Sequence, residues 1–399
     1  MSGRFRRPLR AVVAAAVVLG LVTATATAAT AETTSTGDTT TTGDLHRAAQ
    51  RWIDAGVPGV AVRVDDGRRT TELVRQNSWS RRDHRLRLGD EYKMASNTKV
   101  VTGTLVLQQV HEGRLSLDDP ANRWLPRIPD GITVRMLLNQ TSGLFDFLND
   151  PRLTPMLLGR DSKHWTPREL LALAFDHPPL FPPGERWNYS NTNYISVGLI
   201  LEAVSGKRYA DLVRERIIDR LGMQHTYLSD PAGFRGRHAH GYEPDAEHLG
   251  PYLPPGTPVG EGFAGPRLHD HVQTEGVDVS ASWAAGGLIS TAEEWPKFLR
   301  ALFDGRLLPA HLLAEMKQAV PQGNGDGYGL GLMEINTPCG TVWGHSGGFP
   351  GYRSHNYVDA TGTRTVTVLG TTTFKLHAPD AAAGQEAMVD AAVCELYGR

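Results

Sequence analysis

The chain has 399 residues, 21% of them charged and 40% hydrophobic, fractions that exclude wholesale disorder, collagen and a membrane bundle. Its 41 basic and 43 acidic residues leave a formal net charge of −2, which argues against a polyanion-binding surface and so against a nucleic-acid partner. The length leaves room for one large domain or two interlocked ones, and with only seven lysines any lysine in a motif stands out.

Arg4, Arg6, Arg7 and Arg10 make a basic start, followed by an apolar run from Ala11 to Val22 too short to span a bilayer. Ala29-Thr30-Ala31 is a small-x-small cleavage site, so residues 1–31 are expected to be a secretory signal peptide, with a short membrane anchor as the alternative. Arg6-Arg7 raises twin-arginine export, but Pro8 follows it. Residues 32–44 are Thr-rich and expected to be a disordered lead-in. The mature protein is expected outside the cell, free of the membrane.

Val60 to Val64, a turn at Asp65-Asp66-Gly67, and Thr70 to Val74 predict a β-hairpin. A helix is predicted from about Ala95 to Glu112, with Val100, Val101, Leu105, Val106 and Val110 on its apolar face and Gly113 as its stop. The middle is predicted mostly helical. Thr133 to Gln140 is one helix, and Thr166-Pro167-Arg168-Glu169 is a capping box for another that runs to Phe175. Asn193 to Val204 and Tyr209 to Leu221 follow, closed by Gly206 and Gly222. Tyr242 to Pro266 is Gly- and Pro-rich and reads as surface loop. Thr291-Ala292-Glu293-Glu294 caps the next helix. Strands are then predicted at Tyr328–Ile335, Thr341–Trp343, Tyr352–Val358 and Thr363–Thr372, with Pro379 to Tyr397 a final helix. Strands at both ends with helices between predict one sheet built from both termini and an inserted, mostly helical subdomain.

Ser96 and Lys99 stand three apart at a helix start and share one face. The serine gains the positive end of the helix dipole and free N–H groups, and an amine one turn on can take its proton if it is kept neutral. Lys99 alone among the seven lysines has a serine three residues before it. An N-capping serine beside a solvated lysine is the bland alternative. Tyr189-Ser190-Asn191 precedes a helix. A tyrosine flanked by cations can be held partly as phenolate and shuttle protons, and the Asn191 amide can orient Lys99 and a substrate carbonyl. A packing tyrosine next to a capping asparagine competes with that reading. His345-Ser346-Gly347-Gly348 follows a short predicted strand, and its glycines let a substrate backbone approach N–H groups able to hold an oxyanion; a glycine-rich turn is the alternative.

Gly344 to Gly348 also fits the Gly-x-Ser-x-Gly nucleophile elbow, which demands a helix next, yet Phe349-Pro350-Gly351 forbids one. His238-x-His240 and His269-x-His271 lie in loop-like sequence and read as solvated histidines rather than metal ligands. Cys339 and Cys394 are too few for a cysteine zinc site. Their even count in an oxidising compartment predicts one disulfide, worth about 4 kcal/mol on a loop-entropy argument, against two buried free thiols.

The ordered set Ser-x-x-Lys, Tyr-x-Asn, His-Ser-Gly resembles the serine β-lactamase and penicillin-binding protein superfamily. In detail it is similar to class C β-lactamases and to the secreted Streptomyces-type D-alanyl-D-alanine carboxypeptidases. Leu107 to Leu117, Ile132 to Leu144, Tyr189 to Tyr194 and Tyr328 to Leu332 carry the likeness further, as do the two cysteine positions. The resemblance implies an α+β fold of the β-lactamase/transpeptidase type. Its antiparallel sheet is flanked by helices over residues 45–399, with the α/β part at about 45–115 and 275–399 and the mostly helical part at about 116–274.

It also implies roles. Ser96 is the acylated nucleophile, Lys99 and Tyr189 share the base work, and His345 stands where relatives carry Lys or His. Asn191, Ser346, Gly347 and Gly348 bind substrate, with the Ser96 and Gly348 N–H groups as oxyanion hole and Trp283 walling the cleft. No metal or organic cofactor is implied. The expected partners are peptidoglycan stem peptides or another acyl substrate, with β-lactams as inhibitors or substrates, and the expected state is a monomer.

Two departures bear on the substrate. The carboxypeptidases carry His-Thr-Gly-Thr, and this chain has Gly348 in place of the last hydroxyl. They also carry an arginine after Tyr-Gly-Leu-Gly-Leu that holds the terminal carboxylate, where this chain has Met333-Glu334-Ile335. Loss of such a contact costs about 2–5 kcal/mol of recognition. Overall similarity therefore favours a carboxypeptidase, and the missing arginine favours an esterase, β-lactamase or D-aminopeptidase. A non-catalytic cell-wall binding protein is the third reading, against which the complete set of side chains argues.

Overall fold

The computed structural model describes residues 40–161, 163–253 and 259–399. The expected signal peptide and all of the Thr-rich lead-in before residue 40 lie outside them. The rest of the lead-in is corrected, because a helix begins at Thr40 and runs to Asp54. Leu45, Ala48, Ala49, Trp52 and Ile53 recur at helical spacing and are buried, so an amphipathic face drives this helix despite its threonines.

The predicted hairpin is β1 (Gly59–Asp65) and β2 (Thr70–Gln76). Short strands follow at β3 (Tyr92–Lys93), β4 (Tyr227–Leu228), β5 (Tyr242–Pro244), β6 (Arg267–Leu268), β7 (His271–Gln273) and β8 (Leu288–Ser290). The C-terminal part supplies β9 (Val320–Pro321), β10 (Gly327–Tyr328), β11 (Met333–Thr337), β12 (Gly340–Phe349), β13 (Tyr352–Val358) and β14 (Thr365–Gly370). One antiparallel eight-stranded sheet has the order β2-β1-β14-β13-β12-β11-β10-β9, so its strands do come from both ends of the chain. The N-terminal helix and the C-terminal helix (Pro379–Tyr397) pack together on one face, where the Trp52 indole donates to the Ala381 carbonyl at 3.1 Å. A larger core lies on the opposite side, among the helices at Thr98–His111, Asn191–Ser205 and Trp295–Phe303.

Several expectations shift in detail. The segment read as loop from Tyr242 contains β5, which pairs with β7 in a three-stranded sheet. The histidines His269 and His271 therefore stand on a hairpin; His271 is buried, and His269 stacks on Trp79. The strand predicted over Tyr328–Ile335 is two strands broken at Gly329 to Leu332. The helix from Tyr209 loosens into a π turn at Arg214–Ile218 before Gly222 ends it with φ +62°. The short strand at Thr341–Trp343 is the ten-residue β12, so His345 to Gly348 are strand, not a turn beyond one. No helix follows, as Phe349 pairs with Tyr352 across a tight connection to β13, which removes the nucleophile-elbow geometry. Cys339 and Cys394 are bonded, tying the β11–β12 turn to the C-terminal helix. No helix among the described residues is long and apolar enough to cross a membrane.

Candidate active site

Ser96 is presented by a strained turn. The backbone enters from β3, Ala95 takes φ +48°, and one 3₁₀ turn (Ala95–Asn97) leads into the helix Thr98–His111. A left-handed conformation at alanine costs roughly 1–2 kcal/mol and persists only where its surroundings enforce it. Here they do. The Met94 N–H donates to the Leu288 carbonyl at 2.9 Å, and the Thr98 hydroxyl donates to the Ala95 carbonyl at 2.7 Å. Asn97 donates to Ser354 at 2.8 Å and accepts from Asn356 at 3.1 Å, bolting the turn to β13. Gly347 lets β12 come this close, since a Cβ there would stand 2.3 Å from the Met94 carbonyl oxygen.

One turn on, Lys99 is wholly buried. Its Nζ lies 3.2 Å from Ser96 Oγ, 2.8 Å from Asn191 Oδ1 and 2.7 Å from the Ala285 carbonyl oxygen. Burial draws its pKa down to about 7, with Asp146 pulling the other way. Ser96 itself is only half-buried, so the hydroxyl faces the cleft while the amine beneath it is shielded.

Tyr189 covers the pair, its ring centroid 4.9 Å from Lys99 Nζ. The loop that carries it is pinned from below: the Gln140 side chain accepts from the Ser190 N–H at 3.0 Å and from Asn193 at 2.6 Å. The expected phenolate is corrected. Burial and the nearby Tyr328 raise the Tyr189 phenol well above its usual value, outweighing Ser96 and Arg353, which act the other way. A phenol so shifted can donate a proton, and an amine drawn toward neutrality can accept one.

His345 is buried, and burial with the Lys99 and Arg353 charges drives its pKa down to about 3. Its Nδ1 abuts the Ser346 carbonyl and so carries the proton, which leaves Nε2, 3.0 Å from Tyr328 Oη, to accept from that phenol. Tyr189, Tyr328 and His345 form one ring cluster with centroids 5.6–6.3 Å apart. β11 pairs with β12 only as far as Gly344, so, among the described residues, 345–349 have a strand neighbour on the β13 side alone. The free edge beside Ser96 suits an extended substrate.

The substrate end differs from expectation. Ser346 Oγ lies 3.9 Å from Met333 Sδ, so a thioether stands at this part of the cleft. Trp283 packs its indole on Gly198 and edge-on against Tyr209 at 5.0 Å and stays half-exposed. Arg353 sits opposite Gly348 on β13, with Nε donating to Gln385 at 2.8 Å and no carboxylate in ion-pair range among the described residues. Sequence reasoning missed Asp146 altogether. This buried carboxylate caps the 3₁₀ turn Phe147–Asn149 and accepts from Asn191 Nδ2 at 2.9 Å.

The family model described as "Beta-lactamase" matches residues 45–390. Penicillin-binding protein 4* of Bacillus subtilis (strain 168) is 28% identical over 287 residues, 69% of this chain and 59% of its own length. Protein flp of Staphylococcus aureus (strain MW2) is 31% identical over 38% of this chain and 31% of its own, so the chain spans less than two thirds of these relatives. Among solved structures, a D-stereospecific amidohydrolase from Streptomyces sp. superposes with TM-score 0.73 at 31% identity, covering 88% of this chain and 98% of that one. A D-amino acid amidase from Ochrobactrum anthropi SV3 gives TM-score 0.73 at 26% identity over 88% and 98% of the two chains.

Proposed function

This chain belongs to the beta-lactamase family and is a serine hydrolase, and we propose that Ser96 is its nucleophile and amides of D-configured amino acids its substrates. The observation that carries the reading is the buried Lys99 amine, its Nζ 3.2 Å from Ser96 Oγ, with burial drawing its pKa down to about 7. Lys99 takes the Ser96 proton as Oγ attacks the acyl carbon. The developing oxyanion is held by the Ser96 and Gly348 N–H groups. The carbon–nitrogen bond then breaks, and the leaving amine takes a proton from Tyr189, which Lys99 replenishes. Water attacks the acyl-enzyme in a second, matching cycle. Asn191 positions Lys99 and the substrate carbonyl.

The amide preference follows from the missing carboxylate clamp, with Met333 and the unhydroxylated Gly348 where an anion would be held, and from the two D-amide-hydrolysing neighbours. A second reading, D-alanyl-D-alanine carboxypeptidase on stem peptides with β-lactams as inhibitors, is favoured by Arg353, whose guanidinium lies on the strand opposite Gly348 without an acid partner. In either case the proposed place of work is outside the cell, on the strength of residues 1–31 alone.

The deciding experiment compares ammonia release from D-phenylalanine amide with D-alanine release from a diacyl-L-Lys-D-Ala-D-Ala peptide, in wild type and Ser96→Ala. Amide turnover lost in the variant, with no D-alanine release, supports the first reading. Ser96-dependent D-alanine release that Arg353→Ala abolishes establishes the second. Turnover retained in Ser96→Ala would sink both.

A further inference from the structure

Lys99 Nζ has three polar neighbours: Ser96 Oγ, Asn191 Oδ1 and the Ala285 carbonyl oxygen. A neutral amine has two N–H donors and one lone pair. The Ala285 carbonyl can only accept, so it takes one N–H. Where the lone pair points then depends on which end of the Asn191 amide faces the lysine.

That orientation is set from the far side. Asp146 Oδ2 accepts from Asn191 Nδ2 at 2.9 Å, and Oδ1 accepts from the Leu148 N–H at 3.1 Å. Burial raises the Asp146 pKa, against the Leu148 and Asn191 N–H groups and the Lys99 charge, which pull it down; in its ionised form the carboxylate has no donor to offer, so Asn191 turns its NH₂ to Asp146 and its carbonyl to Lys99. The second N–H is thereby consumed, and the lone pair is left for Ser96. We propose that Asp146 is a positioning residue that, through Asn191, points the Lys99 lone pair at the Ser96 hydroxyl. The inference rests on the assignment of Ser96 as nucleophile and Lys99 as base.

Other groups around Lys99 do not fix the amide. The Tyr189 and Tyr194 rings stand 4.9 and 5.3 Å from Nζ and offer faces. His345 is neutral, with both nitrogens engaged by Ser346 and Tyr328, and Arg353 acts on this cluster only through its field. Among the described residues Asp146 is the one anion felt by Lys99 and works to raise its pKa.

Asp146→Asn keeps the shape and removes the charge. Its side-chain oxygen is needed by the Leu148 N–H, so its NH₂ meets the Asn191 NH₂ and forces that amide to flip toward the lysine. Lys99 then spends its lone pair on Asn191, and kcat/KM is expected to fall about 10²-fold, the usual worth of a placed general base. The acid limb of the pH profile should also move to lower pH, because the anion that raised the lysine pKa is gone. The double variant Asp146→Asn/Asn191→Asp restores complementary donors and acceptors with the charge moved next to Lys99. It is expected to recover at least tenfold of the lost kcat on the plateau above its acid limb, which now lies above that of wild type, while KM rises because position 191 no longer offers an N–H to the substrate carbonyl.

A folded Asp146→Asn enzyme with wild-type rate and profile overturns the proposal. So does a folded double variant that recovers nothing, which also decides the matter if the single variant does not fold. Ser96→Ala is assayed alongside: turnover surviving there shows that the nucleophile assignment has failed, not the role of Asp146.

Discussion

Replacing Gly347 with alanine is expected to damage the nucleophile turn from a neighbouring strand. The added Cβ would lie 2.3 Å from the Met94 carbonyl oxygen, 2.7 Å from Ser354 Oγ and 3.0 Å from Asn97 Nδ2. Ordinary contact needs about 3.5 Å, so β12 and the turn must part by about 1 Å. The Met94 carbonyl cannot yield freely, because it accepts from the Asn97 N–H at 3.2 Å, Asn97 Nδ2 at 3.0 Å and Ser354 Oγ at 3.1 Å. Overpacking of this kind costs about 1–3 kcal/mol, a fall in Tm of roughly 2–6 °C. The larger effect falls on catalysis. The turn carries Ser96 and β12 carries the Gly348 N–H, so a 1 Å separation of nucleophile from oxyanion donor should lower kcat/KM by about 10²-fold. Thermal denaturation and initial rates on an activated ester measure the two effects. A Gly347→Ala enzyme with wild-type kcat/KM would show that the close approach of β12 to Met94 does not place the oxyanion hole.

Burial draws the Lys99 pKa down to about 7, and the proposed base must be neutral to act, so kcat/KM should rise with pH through that region; a rate flat from pH 5 to 9 would contradict a lysine base. The same depressed pKa means that the unfolded chain binds a proton which the folded chain refuses between about pH 7 and the ordinary lysine value, so the Lys99 contribution to stability grows as pH rises over that interval. Tyr189→Phe should lower kcat by about 10²-fold with little change in Tm, since the ring remains over Lys99 and only the donor is lost; an unchanged kcat would remove Tyr189 from proton transfer. Cys339→Ser/Cys394→Ser should lose about 2–4 kcal/mol of stability yet keep wild-type kcat/KM, because the bridge lies roughly 30 Å along β12 from Gly348; equal Tm values in oxidised and reduced wild type would argue against it.

Elements with strong local signals were readable from the sequence. The final helix runs from Pro379 to Tyr397 with left-handed Gly398 after it, as Pro at the start and Gly at the stop predict, and the capping box at Thr166 to Glu169 is formed as written. The misses occur where tertiary contacts override local preference. Tyr242 to Pro266 looks like loop, yet Tyr242–Pro244 is strand, because it pairs with His271–Gln273 further along the chain. The N-terminal helix hid behind threonines although its apolar spacing was present.

The same division explains why the chemistry was more legible than the substrate. Ser96 and Lys99 meet through three residues of one helix, and spacing alone puts them on one face. Asp146 reaches Lys99 only because the turn at Phe147–Asn149 packs against the start of the Asn191–Ser205 helix, and nothing local marks it among the other aspartates. Arg353 is placed opposite Gly348 by strand register, which a sequence does not print. A carboxylate clamp built from Arg353 and one built after Leu332 would hold an anion from different strands, so a substrate pocket can be rebuilt while Ser96, Lys99 and Tyr189 stay in place. Substrate choice in this chain is therefore a question for β12 and β13. Arg353→Ala should alter the ratio of peptide to amide turnover while leaving the Ser96-dependent hydrolysis of a neutral ester intact.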